Sequence, residues 1–249
     1  NLAVSGKPYA EKIFQAVYEL TKRCDAKLHP LLQRNLETEK SLVILISTNK
    51  GLCGGLNTNI FRSVIRWFND RNKYDYLSVG KKSESFIVRS GRNLIASFGQ
   101  NGNFINSINS VIQFCVDEYL QGKYREVYVV YNDFISALKQ EPSRKKILPL
   151  GISSEQEIIK TDLFADFVIE PQYDVLLDSL LPHYLENQLR TAILESEASE
   201  HSARMIAMRN ATDNALDLMS ELTLQYNKAR QEKITSEISD MVTARMAVV

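Results

Sequence analysis

The last part of the chain contains no residue that breaks helices. The last proline is Pro182 and the last glycine is Gly151, so His183 to Val249 is a run of 67 residues without either. Proline breaks helices because it lacks an N–H group and its ring clashes with the preceding turn, and glycine because its backbone loses most entropy. At about 1.5 Å per residue the run can form one helix roughly 100 Å long. Helices of globular proteins usually have about 10–14 residues, so this segment needs an explanation.

Two patterns of apolar residues divide the long segment. From Val175 to Leu189 the apolar stripe is wide, which predicts packing on a folded domain. From Leu194 to Ala229 the apolar positions alternate in steps of four and three, the 3.5-residue spacing of a coiled coil. We define the seam by these positions: Leu194, Ala198, His201, Met205, Met208, Thr212, Ala215, Met219, Leu222, Tyr226 and Ala229.

The composition of the seam predicts weak self-association. Alanine, methionine and threonine dominate it, whereas a stable dimeric zipper prefers isoleucine or valine together with leucine. Small and flexible side chains give close but adaptable packing, so this helix needs a specific partner. The alternative is an amphipathic helix folded back on its own domain. We consider it weaker because such helices seldom keep a 3.5-residue period for this length.

The rest of the chain alternates segments typical of strands and helices. The buried-strand pattern of Leu42 to Ile46, a continuous run of apolar residues, is characteristic of parallel sheets. The β-α-β order predicts a mostly parallel sheet with flanking helices. We expect a helix in residues 1–28, an α/β domain in 40–171 and the long helix in 172–249. The further segments are strands at Tyr74–Val79, Asn93–Phe98, Glu126–Tyr131 and Lys146–Leu150, and helices at Pro8–Lys27, from Asn57 or Thr58 to Phe68, Lys81–Arg89 and Ile105–Leu120.

Charge and cysteine content exclude several classes of protein. The chain has 30 Lys and Arg against 30 Asp and Glu, which argues against a protein that mainly binds nucleic acid or an anionic membrane. It has no apolar run of about 18 residues, so no membrane span is expected. The cysteines, Cys24, Cys53 and Cys115, form no C-x-x-C pair. We therefore expect neither a disulfide framework nor a zinc site, and a reducing compartment.

The glycine-rich turn from Gly51 to Gly55 is the best candidate for a ligand site. It follows a predicted strand, where α/β proteins often bind phosphate groups. Its Gly-x-x-Gly-Gly spacing matches neither the dinucleotide nor the P-loop pattern, so a tight structural turn with Cys53 as a small filler is favoured. His29, His183 and His201 lack metal-ligand spacing. We predict no catalytic, cofactor-binding or metal-binding residue, and keep a nucleotide-binding enzyme as an alternative.

Three long motifs resemble one known family. Residues 47–57 read STNKGLCGGLN, residues 203–215 read ARMIAMRNATDNA, and residues 226–238 read YNKARQEKITSEI. In sequence and in order they are similar to the gamma subunit of F-type ATP synthase, and most similar to bacterial versions. The resemblance covers essentially the whole chain. It implies a Rossmann-like α/β domain and two long terminal helices that form an antiparallel coiled coil.

The resemblance also implies a function without catalysis. Gamma subunits are the rotor of the central stalk, and couple proton-driven rotation of the membrane c-ring to conformational change in the catalytic beta subunits. The implied partners are the alpha, beta and epsilon subunits and the c-ring. The implied location is peripheral, at the cytoplasmic face of the bacterial inner membrane. No cofactor, nucleic acid or homo-oligomer is expected, and a homodimeric coiled-coil adaptor remains the second alternative.

Individual residues carry over from the family to two regions. Arg230, Gln231 and Thr235 match positions that hydrogen-bond loops of the beta subunit. Ile169 and Glu170 match a segment at the c-ring and epsilon end, where isoleucine replaces the usual aromatic residue. The family normally has a longer N-terminal helix, so we expect that this chain lacks most of that helix.

Overall fold

The computed structural model describes Lys12 and residues 29–99, 104–150 and 173–246 of the chain. Apart from Lys12, the predicted helix Pro8–Lys27 lies almost wholly outside the described residues, as do Ile169 and Glu170. The chain divides into two compact units, Asn1–Arg204 and Met205–Val249.

The first unit contains a five-stranded sheet in the order β3-β2-β1-β4-β5. Strands β1 to β4 are parallel, and β5 is antiparallel to β4. This arrangement, with flanking helices and a long C-terminal helix, confirms the predicted α/β class. The strands are β1 (Ser41–Ile46), β2 (Tyr74–Val79), β3 (Asn93–Phe98), β4 (Glu126–Phe134) and β5 (Gln140–Leu148). The helices are α1 (Leu56–Trp67), α2 (Lys81–Arg89), α3 (Ile108–Leu120) and α4 (Tyr173–Met246), with 3-10 helices at Pro30–Leu32 and Phe104–Ser107.

Both faces of the sheet are covered by apolar side chains. All six residues of β1 are buried, because successive side chains of a strand point to opposite faces and both faces carry helices. Val43 and Leu45 belong to a cluster with α1 residues such as Ile60. Leu42, Ile44 and Ile46 belong to a larger cluster that includes α3 and the first part of α4. The continuous apolar run of β1 therefore reflects burial on both sides, as the sequence predicts.

Two local predictions were wrong. Helix α1 begins one residue before Asn57, and Gly55 occupies its N-cap position without a side-chain hydrogen bond. The Asn57 amide instead donates to Thr48 Oγ1 at 2.8 Å and to Cys53 Sγ at 3.3 Å, which ties the glycine-rich turn together. Strand β5 begins at Gln140 rather than at Lys146, because pairing with β4 holds a polar segment whose composition alone does not indicate a strand.

Helix α4 extends further than the run that lacks glycine and proline. It has 74 residues and contains Pro182. Proline in a helix removes one backbone hydrogen bond and crowds the preceding turn. Leu181 and Leu185, on either side of Pro182, are almost fully buried in the larger core cluster, so packing offsets this cost.

Candidate functional site

The first part of α4 is buried against the sheet. The predicted packing of this segment is confirmed, but its predicted limit at Leu189 was too early, because burial continues to Ser199. Each fully buried large aliphatic or aromatic side chain contributes about 1.5–3 kcal/mol through the hydrophobic effect. The buried apolar residues are Leu177, Leu181, Tyr184, Leu185, Leu189, Ala192 and Ile193, all members of the larger core cluster.

Tyr184 shows how completely this surface is dehydrated. Its side chain belongs to the larger core cluster and is only 6% exposed. Burial raises the pKa of its hydroxyl to about 12, although a hydrogen bond with Gln188 acts in the opposite direction. Charging this phenol inside the contact is unfavourable because a buried anion loses its hydration.

Polar contacts follow the apolar ones along α4. The Ser199 hydroxyl donates to the backbone oxygen of Asn132 in β4, at 3.1 Å. Both Nε and Nη2 of Arg204 lie 3.3 Å from the backbone oxygen of Gly51 and donate to it. Nη2 of Arg204 also donates to Glu200 Oε1 at 2.6 Å, which orients the guanidinium. Helix α4 therefore contacts the segments that follow β1 and lie near the end of β4.

These contacts lie at the position where folds of this class usually bind ligands. The strand order changes direction between β1 and β4, and doubly wound sheets bind nucleotides in the crevice beyond the carboxyl ends of such strands. Here Gly51 follows β1 and Asn132 is near the end of β4, and both backbone oxygens accept hydrogen bonds from α4. The long helix occupies this edge, so the geometry favours a structural role for the glycine-rich turn.

The turn contains two residues with left-handed backbone conformations and a buried cysteine. Gly54 has a φ of 58°, a left-handed conformation that glycine adopts without a steric penalty. Leu52 has a φ of 62°, and its side chain is 74% exposed. Cys53 is 3% exposed, in agreement with its predicted role as a small filler. Within the described ranges, no group of His, Cys, Asp or Glu residues could hold a metal ion.

The first seam positions lie away from the most buried line of α4. Ala192, Ser196 and Ser199 are buried. Leu194 and Ala198 are half-buried, and His201 is exposed. Each of these three seam positions comes two residues after a buried one, which corresponds to a rotation of about 200° at 3.6 residues per turn. The sheet domain therefore covers this part of the seam only partly.

The second unit carries an exposed apolar groove. All residues from 208 to 246 are exposed, among them Met219 at 60%, Leu222 at 54% and Tyr226 at 67%. The Thr223 hydroxyl donates to Met219 O at 2.7 Å within the helix, which makes this surface less polar. Contiguous apolar surface of this kind is typical of a protein interface. The groove is lined by Ala215, Leu218, Met219, Leu222, Thr223 and Tyr226, four of which are seam positions.

The chain matches known proteins over nearly its whole length. A family model described as ATP synthase matches residues 1–248. The ATP synthase gamma chains of Legionella pneumophila strains Corby and Lens are each 36% identical over 250 residues, covering 98% of this chain and 86% of theirs. This chain belongs to the ATP synthase gamma-chain family. The predicted resemblance is confirmed.

Solved structures of the same kind support the fold of this gamma-family chain. A chain of the Euglena gracilis mitochondrial ATP synthase, from an assembly of OSCP, F1 and c-ring, superposes with a TM-score of 0.62 at 21% identity. That match covers 99% of this chain and 92% of the other. A chain of the Tetrahymena thermophila mitochondrial ATP synthase, from a central stalk and c-ring structure, superposes with a TM-score of 0.54 at 22% identity, covering 85% of this chain and 100% of the other.

The residues carried over from the gamma family lie on the exposed part of α4. Arg230, Gln231 and Thr235 are all exposed. The Thr235 hydroxyl donates to the backbone oxygen of Gln231 at 2.8 Å, so its oxygen remains available as an acceptor. The role of these residues stays a prediction, and Ile169 and Glu170 lie outside the described part of the chain.

The apolar stripe of α4 continues past the predicted end of the seam. Ile234, Ile238 and Met241 are exposed, although the sequence prediction ends at Ala229. From Tyr226 the steps to Ile234 and Ile238 are multiples of four residues, which shifts the stripe relative to a 3.5-residue repeat. The sequence would have shown this extension if the apolar pattern had been followed past Ala229 in steps of four residues.

No helix among the residues that the structure describes is long and apolar enough to cross a membrane.

Proposed function

We propose that this chain is the rotor subunit of the central stalk in an F-type ATP synthase. The observation that carries the proposal is the division of one helix into two kinds of surface. Helix α4 is buried on the sheet between Leu177 and Ser199, and it is exposed and partly apolar from residue 208 onward. A rotor needs both a firm attachment to one domain and a long surface for partners.

The exposed part of α4 is the surface that would contact the alpha and beta subunits. The seam would take a second helix on one side, and the remaining faces would contact the ring of alpha and beta subunits. Rotation of this asymmetric surface would change the conformation of each catalytic beta subunit in turn. In this proposal the chain supplies no catalytic group and needs no cofactor, since the chemistry takes place in the beta subunits.

The residue roles follow from the family and from exposure. Arg230, Gln231 and Thr235 would hydrogen-bond loops of the beta subunit, and each of these side chains is exposed on α4. Ile169 and Glu170 would lie at the end that contacts epsilon and the c-ring. The complex would then hold the chain peripherally at the cytoplasmic face of a bacterial inner membrane.

Introducing charge into the apolar groove tests the proposal. The double variant Met219→Glu, Leu222→Glu should prevent the chain from assembling with alpha and beta subunits, because two carboxylates would be buried without partners. The matched control is Glu221→Gln, a neutral change on the same exposed turn. The measurement is co-purification of alpha and beta with the tagged full chain, followed by ATP-driven proton pumping in vesicles.

The outcome separates the possibilities clearly. Assembly by the parent and by Glu221→Gln, but not by the double variant, supports the rotor function. If the parent chain binds no alpha or beta subunit, or if the double variant assembles and pumps normally, the proposal fails.

A further inference from the structure

The segment that follows β1 caps the helix that follows β2. Helix α2 begins after Gly80, which has no side chain to accept hydrogen bonds from the first turn. Residues 47–49, which we define as the capping segment, accept these hydrogen bonds instead, and all three are of types that commonly cap helices. The bonds run from Lys81 N to Asn49 Oδ1 at 2.9 Å, from Lys82 N to Thr48 O at 3.2 Å and from Ser83 N to Ser47 Oγ at 2.6 Å.

Asn49 uses both ends of its side-chain amide. Its Oδ1 accepts from Lys81, in the segment that follows β2. Its Nδ2 donates at 2.9 Å to the backbone oxygen of Gly99, which follows β3. Strands β1, β2 and β3 are neighbours in the sheet. One side chain therefore joins the segments that follow three neighbouring strands, all at the same edge of the sheet.

The capping segment also holds the turn that α4 contacts. The Thr48 hydroxyl donates to the backbone oxygen of Lys50 at 2.7 Å and accepts from Asn57 of α1 at 2.8 Å. Gly51 is the next residue, and its backbone oxygen accepts both hydrogen bonds from Arg204. The acceptor that α4 uses therefore lies directly beside a segment whose hydrogen bonds reach α1, α2 and the segment after β3.

The Gly51 carbonyl depends on its neighbours for a fixed position. A hydrogen bond needs a defined distance and angle, so it restrains a helix only if its acceptor is itself held. A Cβ atom placed on Gly51 would meet no atom of another described residue within 4 Å, its two chain neighbours apart. Arg204 is the last residue of the first unit. Force transmitted along α4 from the second unit therefore reaches this contact first.

We propose that Asn49 is a positioning residue that holds the Gly51 carbonyl in place for Arg204 of α4. It acts by joining the capping segment to the segments after β2 and β3. The consequence for coupling rests on the rotor function proposed above. Without the Asn49 side chain the Gly51 carbonyl moves under load, so ATP hydrolysis continues while fewer protons are pumped for each ATP.

Hydrogen exchange at the Arg204 side chain tests the positioning directly. Its Nε–H group donates to the Gly51 backbone oxygen at 3.3 Å, and NMR of the full chain measures how fast this proton exchanges with water. In Asn49→Ala the exchange should become about fivefold faster, the factor that corresponds to the loss of one hydrogen bond. Backbone amides from Leu177 to Ser199 should exchange as in the parent, because their contacts are unchanged.

A conservative variant and a control separate positioning from a general loss of structure. Asn49→Asp keeps an acceptor for the Lys81 N–H group, at a helix N-terminus that favours negative charge, but it has no donor for Gly99. Its effect on Arg204 should be smaller than that of Asn49→Ala. The matched control is Asn59→Ala, at an exposed asparagine of α1, which should leave the exchange of Arg204 unchanged.

The same variants are then compared in the complete ATP synthase. The ratio of proton pumping to ATP hydrolysis should fall by up to about fivefold in Asn49→Ala, since one contact is loosened. The ratio should fall less in Asn49→Asp and should not fall in Asn59→Ala. A loss of stability alone would lower the amount of assembled enzyme without changing this ratio.

Each result decides the inference. Unchanged Arg204 exchange in a folded Asn49→Ala variant overturns it. Faster exchange with an unchanged pumping ratio also overturns it, and leaves the rotor function intact. If Asn49→Ala does not fold, unchanged Arg204 exchange in Thr48→Val, which lacks the hydroxyl bond to Lys50, overturns it. A parent chain that fails to assemble contradicts the rotor function, while the exchange of Arg204 still decides the positioning.

Discussion

The two parts of α4 differ in what covers them. Between Leu177 and Ser199 the helix buries apolar side chains against the sheet, and polar contacts through Ser199 and Arg204 follow. From residue 208 to Met246 every residue is exposed, including leucines and methionines. The same helix therefore contains one surface that the sheet domain covers and one exposed surface that partners would cover in the proposed function.

The difference is visible in the side chains of each part. The buried part uses leucine, isoleucine and tyrosine in a wide stripe, which provides the large areas that stabilise a domain core. The exposed seam uses mainly alanine and methionine. Such side chains pack closely and adapt to different neighbours, which would suit contact with partners in several conformations if the proposed function is correct.

The largest expected contrast concerns leucine truncation. Leu181→Ala should lower the free energy of unfolding of the sheet domain by about 2–5 kcal/mol, because it leaves a cavity in a fully buried site. Leu224→Ala, at a site that is 72% exposed, should change it by less than about 0.5 kcal/mol. Urea titration monitored by fluorescence of the single tryptophan, Trp67, in α1 measures both. Equal effects of the two substitutions on the free energy of unfolding would contradict the difference between the buried and exposed parts of α4.

The next effect concerns alkaline pH. The pKa of Tyr184 in the folded chain is raised by burial to about 12, from an ordinary value of 10. The folded state therefore holds this proton more tightly than the unfolded state. The resulting stability is fully present below pH 10 and is lost as the pH rises through 12, a change of about 2–3 kcal/mol. Tyr184→Phe should remove this contribution.

The measurement compares the free energy of unfolding of the parent and Tyr184→Phe at pH 9 and pH 12. The difference between the two proteins should change with pH in favour of the variant. A difference that is the same at both values would show that Tyr184 is not dehydrated by the sheet, and would weaken the contrast between the two parts of α4.

A smaller effect is expected at the polar end of the buried part. Ser199→Ala removes the hydrogen bond to the backbone oxygen of Asn132 and leaves that buried acceptor with one donor fewer. We expect a loss of about 1 kcal/mol in the free energy of unfolding. Ser202→Ala, at a half-buried position three residues further along, is the matched control. If both variants unfold alike, the contact between Ser199 and β4 does not stabilise the helix.

Much of the fold could be predicted because local patterns agree with tertiary structure. The apolar run of β1 and the segments of β2, α2 and β3 match the structure closely, since their periodicity directly reflects burial. Strand β5 was predicted too short because its first residues are polar and it is held by pairing with β4. The capping residue of α1 was also mistaken, because Asn57 is used inside the glycine-rich turn instead.

The candidate site was less predictable for a physical reason. The 3.5-residue period of the seam is a property of one helix, so the sequence can show it without a partner. The contacts of Arg204 with Gly51, and of Ser199 with Asn132, join residues far apart in the sequence. No spacing rule connects them, and charged residues next to the seam look like an ordinary solvated face until the sheet is placed beside them.

Hydrogen exchange along α4 tests the central claim most directly. In the isolated chain, backbone amides between Leu177 and Ser199 should exchange slowly, because opening them requires loss of the sheet contact. Amides from residue 208 to Met246 should exchange much faster, and should become protected when alpha and beta subunits assemble around the chain. Equal protection of both parts in the isolated chain, or an exposed part that assembly leaves unprotected, would contradict the account.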